Sequence, residues 1–128
     1  MEQQGEPAIR VVMMPRDTNP HGTIFGGVIL SYIDQAGAIG ARALAPHRFV
    51  TVAMDAVEFH EPVFVGDVLS LYTAVERVGR TSLTMRVHVH ARRFEDPRAD
   101  VPVTQALITF VAVDENQQPI PHGVEQTK

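Results

Sequence analysis

Residues 26–43 read GGVILSYIDQAGAIGARA, and this stretch decides the fold. Between positions 28 and 43 its polar or amphipathic members are Ser31, Tyr32, Asp34, Gln35 and Arg42. A helix that is apolar on nearly every side is a buried helix, so the pattern predicts a helix that other elements surround. Small residues such as Gly37 and Gly40 weaken the helix on its own but let another backbone come close. We therefore expect a sheet wrapped around this helix.

The rest of the chain supplies that sheet. Segments rich in Val, Thr, Phe and Tyr, which are typical of strands, lie at residues 48–60, 67–78, 81–93 and 103–114. A short apolar run at residues 9–14 predicts a first strand. Turn signals at Gly66-Asp67 and Gly79-Arg80 join consecutive strands closely, which favours antiparallel pairing. One helix packed on such strands predicts an α+β fold.

The length of the chain bounds its organisation. A chain of 128 residues suffices for one domain, which we expect to span residues 1–128, with residues 115–128 as a flexible tail. Residues 95–102 are predicted to form a polar loop between the last two strands. The chain has no Cys, which excludes disulfides, thiolate metal sites and a Cys nucleophile.

Charge and hydropathy bear on location and partners. The net charge of -4 argues against nucleic acid as the main partner, because phosphate binding favours a basic excess. The amino-terminal residues MEQQGEP lack the basic and apolar regions of an export signal. No apolar run reaches the roughly 18 residues that a membrane-spanning helix needs. We therefore expect a cytoplasmic protein without a membrane partner.

Asp34 is the strongest candidate for chemistry. It is the only formally charged residue between Asp17 and Arg42, and it lies inside the apolar helix. Burying an unpaired carboxylate is costly, so its presence there favours a use as a general base. The alternative is a structural hydrogen bond or a helix end that meets solvent.

The loop that leads into the helix is the second candidate. Gly26 and Gly27 lie where the helix begins, so their backbone N–H groups can face an oxyanion with help from the helix dipole. Asn19 offers a neutral amide that can hold a water or a carbonyl. The alternative is an ordinary Asx turn before a capped helix.

The spacing of these two candidates bears on assembly. Asp34 follows Gly27 by seven residues, which is about 10 Å along a helix. That distance is too long for both to touch one reacting carbonyl within one chain. If both act, the site lies between two subunits, and a homodimer is part of the hypothesis.

Four stretches together resemble one family. They are DTNPHGTIFGGVILSYIDQAGAIGARAL (17–44), VTVAMDAVEFHEPVFVGDV (50–68), VGRTSLTMRVHVHARR (78–93) and VTQALITFVAVDENQQP (103–119). Over about residues 9–120 the chain is similar to hotdog-fold acyl-CoA thioesterases of the broad-specificity acyl-CoA hydrolase family. The combination of an Asn, a Gly-Gly pair and an Asp before a Val-Gly-Asp turn is specific for that family.

The resemblance implies a fold, an assembly and a reaction. The fold is the hotdog, an antiparallel sheet of five or six strands around one long helix, paired into homodimers that often form trimers of dimers. The substrate is acyl-CoA, and no metal or separate cofactor is implied. The carboxylate that matches Asp34 activates water or attacks the thioester, and the amide that matches Asn19 acts across the dimer. Many relatives carry a His where this chain has Phe25, which leaves the backbone amides but removes an imidazole.

The coenzyme's phosphates require cations and donors. The hairpin after Gly79 carries such groups in Arg80, Thr81 and Ser82. Arg92 and Arg93 lie near the family's basic position for phosphate, although a solvated strand face would explain them equally. In the same strand Val87, Val89 and Ala91 are predicted to share one face. His88 and His90 on the other face have no third ligand close in sequence, so we expect no metal site.

Two other functions fit the same fold. A hydratase or dehydratase acting on acyl-CoA would use a His and an acid, for which His60-Glu61-Pro62 is the candidate. The usual run of His, Pro and Gly around a dehydratase His is absent here. A non-catalytic acyl-CoA sensor would need a DNA-binding segment, and eight residues precede the first predicted strand.

Overall fold

The computed structural model describes residues 5–125 and contains one long helix and five strands. In chain order these are β1 (Ile9–Val12), a short 3-10 turn (Pro15–Asp17), α1 (Gly26–Leu44), β2 (Arg48–Phe59), β3 (Val68–Val78), β4 (Ser82–Arg92) and β5 (Asp100–Val113). The predicted order of helix and strands is confirmed. The predicted polar loop at 95–102 is too long, because Asp100 already pairs with Arg92 across the sheet. Within residues 5–125, no helix has both the length and the hydropathy to cross a bilayer.

The five strands form one antiparallel sheet in the order β1-β3-β4-β5-β2. The central strand β4 alternates as its sequence predicts: Val87, Val89 and Ala91 are fully buried, while its charged and His side chains lie on the opposite face. The helix packs on the buried face, which gives the predicted α+β arrangement.

Small residues let α1 lie close to the sheet. A methyl group added at Gly37 would lie 3.0 Å from the ring of Phe110, and one added at Gly40 would lie 2.6 Å from the hydroxyl of Thr73. The buried face of the helix consists of Ile29, Ile33, Ala36, Gly37 and Ala41. Close contact of this kind between the helix backbone and the sheet is the physical reason for glycine at positions 37 and 40.

The expectation of a helix buried on every side is wrong for the single chain. Ile39 and Leu44 are 48% and 45% exposed, and Ser31 and Gln35 are exposed as well. The reason is geometric, because one five-stranded sheet covers one side of a helix and leaves the other side open. An apolar helix face in solvent is a surface suited to further assembly.

Strand β2 is a long edge of the sheet. Among the described residues it pairs with β5 alone, and its other edge has no partner strand. Its register shifts twice, and Ala56 in the second shift has φ 53°, a backbone conformation typical of a bulge. Val52 and Phe59 on this strand are 56% and 51% exposed. Unpaired N–H and C=O groups along such an edge are a template for pairing with another strand.

The segment after β5 corrects the prediction of a flexible tail over residues 115–128. Pro119 forms a bridge with Val113, and the N–H of Ile120 donates to the carbonyl of Ala112 at 2.8 Å. His122 is only 5% exposed. Polar composition suggested fraying, but these backbone hydrogen bonds hold the segment on the sheet. The last three residues, 126–128, lie outside the described residues.

Candidate active site

Asp34 lies where the helix faces the edge strand. Its Oδ1 atom accepts a hydrogen bond of 2.6 Å from the hydroxyl of Thr51 on β2. Sequence reasoning missed Thr51, because Thr is a common strand residue and its approach to Asp34 depends on how the helix packs on the sheet. The contact fixes one carboxylate oxygen and the orientation of the side chain.

The exposure of Asp34 differs from the expectation. It is partly exposed rather than enclosed within an apolar helix, because it lies at the border between the buried and open faces of α1. Its Oδ2 atom accepts no hydrogen bond from residues 5–125. One oxygen is therefore held and the other is open to a water or a substrate carbonyl.

Asn19 forms the Asx turn that was the alternative interpretation of its loop. Its Oδ1 accepts the N–H groups of His21 at 2.8 Å and Thr23 at 3.1 Å, and its Nδ2 donates to the hydroxyl of Thr23 at 2.8 Å. An amide nitrogen has two hydrogens, so one donor remains. The turn does not exclude the proposed role, because it holds the amide in place and leaves that donor.

The start of α1 has uncapped backbone donors. Phe25 occupies the cap position and makes no side-chain cap hydrogen bond. Among the described residues, the N–H groups of Gly26 and Gly27 have no acceptor, as expected for a first helical turn. A methyl group added at Gly27 would meet open space. The site can therefore offer two N–H groups and the positive end of the helix dipole to an oxyanion.

A cavity lies beside this helix start. Its volume is about 330 Å³, and its apolar wall includes Ile24, Ile29, Phe59 and Val63. The ring of Phe59 approaches Gly26 closely, since a methyl group added there would lie 3.4 Å from Cζ. Thr23, His60 and Glu61 also line the cavity, so its wall is apolar on one part and polar on another. Open N–H donors beside an apolar wall are suited to an acyl group whose carbonyl is polarised at one end.

The turn between β3 and β4 contains Arg80, Thr81 and Ser82, which were singled out from the sequence. The N–H of Gly79 donates to the carbonyl of Ser82 at 2.9 Å and closes the turn. Within residues 5–125, the exposed guanidinium of Arg80 has no partner, and the N–H groups of Arg80 and Thr81 have no acceptor. The turn therefore presents positive groups outward.

The two arginines at the end of β4 differ in their environment. Arg93 Nη1 lies 2.6 Å from Asp67 Oδ2 and donates to the carbonyl of Pro62 at 3.0 Å. Its guanidinium is therefore committed to a buried carboxylate, which corrects the expectation that it is available for a phosphate. Arg92 Nη2 lies 4.0 Å from Asp100 Oδ2, which is a long contact for an ion pair, and its side chain is 57% exposed. The charge of Arg92 therefore remains accessible.

Among the described residues, no histidine is hydrogen-bonded to the carboxylate of Asp34. His60 Nε2 is 3.2 Å from Glu58 Oε1, and both side chains are about half exposed. The pKa of His88 is lowered, first by burial and then by the neighbouring charges of Arg86 and His90. The described part of the chain contains no group of three or more His, Cys, Asp or Glu residues that could hold a metal ion.

Comparisons with family models, curated proteins and solved structures all identify thioesterases as the proteins that this chain resembles. The family model of the thioesterase superfamily matches residues 21–93. An uncharacterized acyl-CoA thioester hydrolase of Zymomonas mobilis is 46% identical over 115 residues, which are 90% of this chain and 76% of that protein. The acyl-CoA thioester hydrolase YciA of Salmonella typhimurium is 39% identical over 124 residues, 95% of this chain and 93% of its own. A hexameric hotdog fold thioesterase of Campylobacter jejuni has a similar crystal structure, with a TM-score of 0.88, 50% identity and coverage of 93% and 91%.

Proposed function

Because the chain belongs to the thioesterase superfamily and has its hotdog fold, we propose that this thioester hydrolase acts on acyl-CoA, with Asp34 as its reactive carboxylate. The products are a carboxylic acid and coenzyme A. The observation that carries the proposal is the hydrogen bond from Thr51 to Asp34, which holds one oxygen at 2.6 Å and leaves the other open. A carboxylate held in this way is prepared for one direction of attack.

Asp34 can act by two routes, and each consumes one water molecule per thioester. As a general base it takes a proton from water while the water oxygen bonds to the thioester carbon. As a nucleophile its oxygen bonds to that carbon first, and water then hydrolyses the resulting anhydride. In both routes the carbon–sulfur bond breaks, the thiolate of coenzyme A takes up a proton, and the carboxylate is regenerated.

The developing negative charge on the thioester oxygen needs donors. The N–H groups of Gly26 and Gly27 and the spare amide hydrogen of Asn19 supply them. Gly27 and Asp34 are seven residues apart on one helix, about 10 Å along its axis. We therefore assign Asp34 to one subunit and the donors to its partner.

The surface of the single chain supports such a dimer. Within residues 5–125, edge strand β2 has no partner on one side, and the face of α1 that contains Ser31, Gln35 and Ile39 is exposed. Two copies can cover both features through a twofold axis. Because the similar Campylobacter jejuni thioesterase is hexameric, we extend the proposal to a trimer of dimers.

The coenzyme binds through its phosphates at the β3–β4 turn. Arg80 contributes a guanidinium that has no partner among the described residues, and Thr81 and Ser82 contribute hydroxyls. Exposed Arg92 lies at the opposite end of β4, about 30 Å along the strand from Ser82, so it is not part of the turn site within one chain. We leave Arg93 out of the phosphate site because Asp67 already occupies it. Thr51 pairs with Phe110, and Phe110 pairs with Leu83 beside the turn, so Asp34 and the turn lie at the same end of the sheet.

An acyl-CoA screen tests the proposal directly. Purified protein is offered straight-chain acyl-CoAs of graded length, and the released thiol is measured with a thiol reagent. The chain has no Cys, so the reagent reports coenzyme A without a background from the protein. We expect saturable thiol release that the Asp34→Asn variant loses. Absence of release across the series, with the wild-type protein folded, would overturn the proposal.

A further inference from the structure

His122 lies behind the β3–β4 turn, in the segment that follows β5. We propose that His122 is a positioning residue for the turn that binds the coenzyme, and this inference rests on the function proposed above. His122 is only 5% exposed, so its ring is buried behind the turn. It acts through the backbone of Arg80, Thr81 and Ser82.

The imidazole of His122 is held in one tautomer. Its Nδ1 accepts the N–H of Val124 at 3.0 Å, so its proton is on Nε2, which donates to the carbonyl of Ser82 at 2.9 Å. Gly123 has φ 80°, a conformation that glycine adopts readily, and this reversal brings Val124 back to the ring. The ring therefore acts as a directed donor to the turn.

The backbone of His122 holds the turn at a second point. Its N–H donates to the carbonyl of Arg80 at 3.3 Å. In a trans peptide the C=O and N–H groups point in opposite directions. When the carbonyl of Arg80 points toward His122, the N–H of Thr81 must point away from it, toward the outside of the turn.

All three carbonyl oxygens of the turn accept hydrogen bonds from the protein. The carbonyl of Thr81 accepts the N–H of Ala112 at 2.8 Å, so the carbonyls of Arg80, Thr81 and Ser82 all accept hydrogen bonds from protein donors. His122 makes two of these three contacts, those to the carbonyls of Arg80 and Ser82. The N–H groups of Arg80 and Thr81 stay open among the described residues, together with the guanidinium. Outward donors beside a cation are the arrangement that a phosphate requires.

The segment that carries His122 is itself fastened on the far side. His47 Nε2 donates to the carbonyl of His122 at 3.0 Å, and Ile120 donates to Ala112 at 2.8 Å. The turn is therefore ordered when the protein folds, and coenzyme binding does not have to order it. Loss of His122 should weaken coenzyme binding without affecting the reacting carboxylate.

Steady-state kinetics on two substrates tests this. One substrate is an acyl-CoA, and the other is the matching acyl-pantetheine thioester, which lacks the phosphates. Each is offered over a range of concentrations up to saturation. We expect His122→Ala to raise KM for acyl-CoA about three- to tenfold with kcat within about twofold, and to leave the pantetheine thioester unchanged. His122→Gln should restore most of the loss, because its amide nitrogen can occupy the place of Nε2.

A double-mutant cycle separates positioning from general damage. In the Arg80→Ala background, His122→Ala should raise KM by a smaller factor than it does in the wild-type protein, because both changes weaken binding of the same phosphate while the backbone N–H groups of the turn remain. Full additivity, no recovery with Gln, or equal losses on both substrates would each overturn the inference. If His122→Ala does not fold, His47→Ala decides the question. It removes one contact to His122, and an unchanged KM for acyl-CoA would count against positioning.

The same data distinguish this inference from the proposed function. If Arg80→Ala leaves KM for acyl-CoA unchanged, the phosphate site at the turn is wrong and the role of His122 is overturned with it. If Arg80→Ala raises KM and His122→Ala does not, the coenzyme site stands and the positioning role alone fails.

Discussion

The hydroxyl of Thr51 donates a hydrogen bond of 2.6 Å to Asp34, across the space between edge strand β2 and α1. The two residues are far enough apart in sequence that only the packing of the helix on the sheet brings them together. Because β2 is also the edge that we assign to the dimer, the orientation of the carboxylate depends on the strand through which two subunits would pair.

Asp34→Asn should remove activity and keep the fold. The amide has nearly the same size and can still accept the hydrogen bond from Thr51, but it can neither take a proton nor attack. We expect kcat to fall by at least ~10²-fold, the low end for general-base catalysis. Thiol release measures kcat and circular dichroism checks the fold. Activity within a few-fold of wild type would contradict the assignment.

Thr51→Val should lower kcat about tenfold with little change in KM, because the isosteric side chain removes the bond that orients Asp34. Thr104→Val is the matched control, since the hydroxyl of Thr104 is buried without a hydrogen-bond partner among the described residues and lies on a different strand. That variant should keep its activity and gain stability. Equal kinetic effects in the two variants would argue against an orienting role for Thr51.

Mixing inactive variants tests the shared site. When Asn19→Ala and Asp34→Asn chains exchange subunits, each mixed dimer has one intact site and one doubly damaged site. Random pairing at equal amounts should restore roughly a quarter of wild-type activity. Subunit exchange is verified first by mass spectrometry of tagged chains. No recovery after complete exchange would show that both residues act within one chain.

Arg93→Ala should destabilise the protein by about 3 kcal/mol, because it leaves the carboxylate of Asp67 buried and without its cation. Arg92→Ala is the neighbouring control. Its side chain is 57% exposed, so we expect a stability change of at most about 0.5 kcal/mol. Urea unfolding gives both values. If Arg93→Ala were as mild as Arg92→Ala, the buried pair would not contribute to stability.

The pH dependence of stability should include His88. Its pKa is lowered in the folded protein by burial, Arg86 and His90, so the unfolded chain binds this proton at a higher pH than the folded protein does. Stability is therefore lost as pH falls through and below the ordinary value of 6.5. His88→Gln should lessen the loss of unfolding free energy between about pH 7.5 and about pH 5.5. An equal or larger loss in the variant would refute this cause.

Local sequence patterns predicted the helix and the strands of this fold. The partners of individual polar side chains depend on contacts between distant residues, which those patterns do not predict. The alternation of Val87, Val89 and Ala91 is a property of one strand, and it correctly predicted the buried face. The ion pair of Arg93 with Asp67 joins the end of β4 to the start of β3, and no spacing rule in the sequence connects these two residues. His122 was missed for the same reason, since polar neighbours predicted a free tail and its partners lie in the β3–β4 turn.

Strand order also has a consequence for how the chain folds. Strands β3, β4 and β5 are consecutive in both sequence and sheet, so their pairings close short loops. Strand β1 must find β3, and β2 must find β5, across much longer stretches of chain. Since long-range pairing is slow, we expect the central three strands to form the folding nucleus and to protect their amides longest from hydrogen exchange. Thr51, on late-joining β2, would then acquire its contact with Asp34 among the last native interactions.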